Sequence, residues 1–104
     1  MTAESRSPLT SQEIAGALAS LPGWSVVDGK LHRRYRFGSF REAFGWMTMA
    51  ALAAEKADHH PDWSNSYRDV TVYLRTHDAG AITRKDLDLA GIFEQLAAQA
   101  GRAP

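Results

Sequence analysis

The chain has 104 residues, 44% hydrophobic and 23% charged, with no cysteine and a formal net charge of zero when histidine is neutral. That length suits one domain around a single core, and the balanced charge leaves no electrostatic footprint for nucleic acid or an anionic membrane surface. Without cysteine there is no disulfide, thiol nucleophile or thiolate zinc site, and no apolar run approaches the roughly 20 residues of a membrane span.

The first ten residues, MTAESRSPLT, have no apolar centre. They read as a disordered lead over residues 1–9, not as a signal peptide, so a cytoplasmic protein with one domain over residues 10–101 is expected. Thr10 with Glu13 makes a capping box, which predicts a helix from about Ser11 to Ser20. LPG stops it. WSVVDGKLHRRYRF reads as a hairpin, with Asp28-Gly29 supplying the positive φ angles of a tight turn. In its second strand Leu31, Arg33, Tyr35 and Phe37 share the face expected to meet the core. Ser39 with Glu42 signals a second cap, and the helix after it should reach Ala57 or Asp58. Phe40, Ala43, Phe44, Met47, Ala50, Ala51 and Ala54 form its expected buried stripe.

Beyond His59-His60-Pro61, the alternation of Val70, Val72 and Leu74 with Thr71, Tyr73 and Arg75 predicts a strand, with DWSNS as its hairpin partner. Thr83 with Asp86 gives a third cap, before a helix burying Leu89, Ile92 or Phe93, Leu96 and Ala100. The order α-β-β-α-β-β-α argues an α+β fold of two layers: an antiparallel four-stranded sheet with helices packed on one face. The other face is then left to solvent or a partner, and the sheet edges invite pairing.

Two adjacent histidines before a proline are the most distinctive feature. Pro61 forces His60 out of helical geometry and is expected to end the helix there. Glu55 stands four residues before His59, so on a continuing helix its carboxylate would hold that imidazole and fix its tautomer. His77 ends the Val70–Leu74 strand on the side of Thr71, Tyr73 and Arg75, where sites tend to be built. Each group also has a structural reading. His59 suits a helix C-terminus, Asp86 is the third residue of a capped helix, and Trp63 and Tyr67 can pack a hairpin. His32, among arginines on a strand, is assigned no role. A metal site is disfavoured, because adjacent residues in extended geometry point apart and no His-Glu-x-x-His spacing exists. What remains is imidazole acid/base chemistry, since imidazole titrates near 6.5.

From EKADHHPDWSNSYRDVTVYLRTHDAGAITRKD, with LPGW, YRFGSFREAF and WMTMAALAAEK upstream, the chain resembles the pterin-4a-carbinolamine dehydratases. The signature positions are Glu55, His59-His60-Pro61, Trp63, Tyr67, Val70, Leu74, Thr76-His77, Gly80 and Asp86. The resemblance covers nearly all of Leu21 to Leu96. It implies an enzyme that dehydrates 4a-hydroxytetrahydropterin to quinonoid dihydropterin, with the pterin as substrate and no cofactor or metal. It implies a homodimer or homotetramer, serving an aromatic amino-acid hydroxylase. By the same resemblance His59, His60 and His77 are catalytic, Glu55 and Asp86 support them, and Trp63, Pro61 and Thr76 bind substrate. A non-catalytic dimerisation or assembly partner of the same fold is the alternative.

Overall fold

The structure, a computed structural model, describes residues 7–100. Helix α1 is Ser11–Leu18, α2 is Phe40–Ala57 and α3 is Arg84–Gln99. The strands are β1 Ser25–Val27, β2 Lys30–Arg36, β3 Asp62–Ser66 and β4 Asp69–Leu74. They form one antiparallel sheet in the order β1-β2-β4-β3. The expected α+β order and antiparallel sheet are therefore present. Of the expected lead over residues 1–9, residues 1–6 lie outside the described residues. Leu9 belongs to the fold: its amide donates to the Ile82 carbonyl at 3.0 Å and its side chain packs on the core. The expected domain end at residue 101 also lies outside the described residues.

Alternation sorts the sheet into two faces. Leu31 and Tyr35 on β2, and Val70, Val72 and Leu74 on β4, are buried beneath the helices. The opposite face carries Lys30, His32, Arg34 and Arg36 from β2 and Thr71 and Tyr73 from β4, in register His32↔Tyr73 and Arg34↔Thr71. Both hairpins turn in two residues. Asp28 and Gly29 have φ of 52° and 74°, as their tight turn requires. The second turn places Tyr67 at φ 55°, steadied by Asn65, whose amide donates to the carbonyls of Tyr67 and Asp69.

The capping signals at Thr10 and Thr83 close as full boxes. At Ser39 the hydroxyl accepts from the Glu42 amide, but the Glu42 carboxylate reaches past it to the Gly38 amide at 2.8 Å. The face of α2 differs from the expected stripe. Trp46 is buried at 2% exposure beside Ala43, Ala50 and Ala54, whereas Phe40 and Phe44 are half exposed and Ala51 is exposed. The indole explains the rotation: it donates to the Phe93 carbonyl at 3.1 Å and packs edge-on to the Phe93 ring. A buried indole needs such a partner, and Ala43, Ala50 and Ala54 let α2 and α3 approach closely. On α3 the buried choice is Phe93, with Ile92 turned outward.

Arg33 lies on the helix-facing side of β2 without breaking the core. Its Nε and the Trp24 indole N–H donate to Glu94 Oε2 at 3.3 Å and 3.1 Å, and the Tyr35 hydroxyl donates to the same oxygen. The guanidinium also lies over the Tyr35 ring, 4.3 Å from its centroid. This knot joins β2 to α3 and explains the glycine of LPGW. Gly23 has φ 93°, and a Cβ there would come within 2.7 Å of the Arg33 guanidinium. Gly23→Ala should cost about 1–3 kcal/mol, lowering the melting temperature by about 5–15 °C in a thermal scan; an unchanged melt would refute the close approach.

Burial, and then the hydrogen bond to the Glu94 carboxylate, push the Tyr35 phenol above its ordinary value near 10. The unfolded chain therefore releases this proton first as pH rises. The stability tied to Tyr35 is complete below about pH 10 and is lost above it. In urea unfolding, wild type should weaken above about pH 10 more steeply than Tyr35→Phe; parallel curves would contradict this.

Candidate active site

The segment after α2 is shaped by a helix stop that precedes Pro61. Asp58 adopts the left-handed conformation, φ 51° and ψ 43°. The Asp58 amide donates to the Glu55 carbonyl at 3.1 Å and the His59 amide to the Ala54 carbonyl at 3.0 Å. This pair of bonds is a Schellman motif. The helix thus ends at Ala57 by its own hydrogen bonding, and Pro61 merely starts the run into β3. Because the chain reverses before His59, Glu55 does not hold His59 as a continuing helix would require.

The two histidines part at this turn. His59 is buried, 6% exposed, and its Nε2 lies 2.5 Å from Asp86 Oδ1. Asp86, 0% exposed, also accepts at Oδ2 from the Thr76 hydroxyl at 2.9 Å and from the Thr83 amide at 2.8 Å. Thr76 spends its one proton on Asp86, so the Thr83 hydroxyl donates to Thr76 Oγ1 across 2.7 Å. An ionised Asp86 can only accept, which puts the His59 proton on Nε2. Asp86 is both helix cap and anchor: one carboxylate ties the start of α3, the strand end at Thr76 and the histidine segment together.

His60 turns outward. Its Nε2 pairs with Glu55 Oε1 at 2.8 Å, and both side chains are mostly exposed. The contact adds little stability there, but it holds the proton on Nε2 and leaves Nδ1 as an acceptor. An open cleft of about 430 Å³ lies at this end of the open sheet face, lined by Lys30, His60, Pro61, Asp62, Tyr73, Arg75 and His77. That size suits a small-molecule site.

The structure thus brings His60, His77 and Pro61 together in the cleft and sets Glu55 against His60. It places His59, Asp86 and Thr76 behind, as a buried brace. Trp63 lies on the other side of the sheet, its ring parallel to Phe93 at 6.2 Å and near Trp46 at 6.0 Å, so its packing reading holds. Sequence reasoning passed over Lys30, Asp62, Tyr73 and Arg75. Strand parity already put Tyr73 and Arg75 on the side of His77; Lys30 and Asp62 join them only through the registers Leu31↔Leu74 and Asp62↔Tyr73. His32 stands beside the site, its ring 4.6 Å from that of Tyr73. Among the described residues, no group of three or more His, Cys, Asp or Glu side chains is arranged to hold a metal ion, and no helix is long and apolar enough to cross a membrane.

The family model described as pterin 4 alpha carbinolamine dehydratase matches residues 7–96. The chain belongs to this family. It is 53% identical over 90 residues to a protein of Solibacter usitatus, covering 86% of this chain and 95% of the relative, and 52% identical over 97 residues to one of Rhodopseudomonas palustris, covering 91% and 96%. Both relatives are named "Putative pterin-4-alpha-carbinolamine dehydratase". A crystal structure from Brucella melitensis, described as a transcriptional coactivator/pterin dehydratase, is similar with a TM-score of 0.83 and 43% identity, over 86% of this chain and 98% of that one. The family resemblance read from the sequence is thereby established.

Asp86→Ala should expose the weight of the buried brace. It strands the His59 Nε2–H, the Thr76 hydroxyl and the Thr83 amide in a dry interior, so a loss of about 3–5 kcal/mol is expected in urea unfolding. Asp86→Asn, which keeps an acceptor and the side-chain shape, should lose less; equal, small losses for both would show that the network carries no stability.

Proposed function

We propose that the protein dehydrates 4a-hydroxytetrahydropterin to quinonoid dihydropterin and water by histidine acid/base catalysis. The observation that carries this reading is the meeting of His60 and His77 in one cleft, with Glu55 fixing the tautomer of His60. The C4a–O bond breaks as the hydroxyl takes up a proton, and N5 gives up its own to form the C4a=N5 double bond. No electrons are lost or gained, so the step needs no redox cofactor. His60 and His77 divide the two proton transfers. His59 and Asp86 act through position, holding the His59-His60-Pro61 segment from behind. Pro61 lends an apolar wall. The product requires reduction, which links the enzyme to tetrahydropterin recycling for an aromatic amino-acid hydroxylase.

The same reading includes a homodimer or homotetramer. Its support is the outward side of α2, where Phe40 and Phe44 are about half exposed with their rings 5.6 Å apart, and Met49 and Leu52 are exposed beyond them. Exposed apolar residues clustered on one helix favour association.

Stopped-flow absorbance of 4a-hydroxytetrahydropterin decay tests the chemistry. Wild type should accelerate the decay, and His60→Ala and His77→Ala should each lose about 10²- to 10⁴-fold while melting near wild type. His59→Ala should lose stability as well as rate. If wild type leaves the spontaneous rate unchanged, the dehydratase reading fails and a partner-binding role takes its place.

A further inference from the structure

The dehydration leaves Lys30, Asp62, Tyr73 and Arg75 of the cleft unused, and two of these are cations. Lys30 opens β2 and Arg75 follows β4 directly. The register Leu31↔Leu74, carried one step on, sets Lys30 opposite Arg75 across the two strands, and both line the cleft with His60 and His77. Like charges directly opposed on neighbouring strands repel. Elsewhere on this face the arginines have a counter-charge: Arg34 and Arg36 share Asp69, at 3.5 Å and 3.7 Å. Neither Lys30 nor Arg75 has a carboxylate within ion-pair distance among the described residues. Asp62, the acid lining the same cleft, pairs with neither, and Lys30 Nζ instead lies 5.7 Å over the Tyr73 ring. The fold thus holds two cations at opposed strand positions in the proposed substrate cleft against the single carboxylate of Asp62, which pairs with neither.

A pterin with a hydroxylated side chain is uncharged near neutral pH and offers them no counter-charge. A dianion between them would relieve the repulsion. The fork of an arginine with the point charge of a lysine suits phosphate oxygens. We infer that the substrate of this site is a pterin bearing a phosphate ester on its side chain, bound through Lys30 and Arg75 while the ring meets His60 and His77. This inference rests on the dehydratase reading for the placement of the ring.

Binding of unreactive 7,8-dihydropterins tests it apart from turnover. One probe carries a side-chain phosphate ester and the other the free hydroxyl, and dissociation constants are read by fluorescence quenching. In wild type the ester should bind about 10- to 100-fold more tightly than the parent. In Lys30→Gln with Arg75→Gln that ratio should fall to about 1, and Arg75→Lys alone should keep part of it. A wild-type ratio near 1, or one that survives the double substitution, would overturn the inference while leaving the dehydratase reading intact. Inorganic phosphate binding as tightly as the ester would also overturn it, marking a site for the free anion. If neither pterin binds, both readings fall.

Discussion

The carboxylate of Asp86 is the contact on which the site depends. It is removed from water, so its charge is tolerated only because donors surround it. Those donors come from three places in the chain: the Thr83 amide at the start of α3, the Thr76 hydroxyl at the end of β4 and His59 beyond the end of α2. Each would be a loose terminus alone. Joined to one buried anion, they fix the walls from which His60 and His77 project. The helix cap and the brace are one group because the first turn of α3 carries a favourable partial positive charge.

The two faces of the sheet divide stability from chemistry. Beneath the helices, Trp46 and Phe93 lock α2 to α3, and the Glu94 knot fastens β2 to the same helix. The open face bears charge, and its cleft forms where β4 ends and the histidine segment enters β3. His60 and His77 therefore lie just outside strand ends, His60 before β3 and His77 after β4. Each adjacent histidine takes a separate task because the chain reverses at Asp58 before reaching them. One imidazole faces a buried acid and the other an exposed acid.

Membership of the pterin dehydratase family and two imidazoles in a small-molecule cleft are the two supports of the proposed acid/base dehydration. The opposed Lys30 and Arg75 add a feature that the reaction at the ring does not call for. In the proposed reading their charge concerns the remainder of the substrate, which separates recognition from catalysis within one cleft.

Much of this was legible in the sequence. Helix caps, the Asp28-Gly29 turn and the alternation of β4 are set by neighbours a few residues apart, and they marked all seven elements. The signature residues marked the family and the histidines. Tertiary structure decided what local pattern leaves open. The apolar spacing of α2 accommodates several faces, and the indole of Trp46 selected one by finding the Phe93 carbonyl. Glu55 is near both histidines in sequence; the left-handed turn at Asp58 gave it His60. Asp86 and His59 are 27 positions apart, and Lys30 lies far along the chain from Arg75. Local sequence dictates backbone geometry because its forces act between neighbouring residues. Which charges and rings finally meet is decided by packing and strand register, which exist only once the chain has closed on itself.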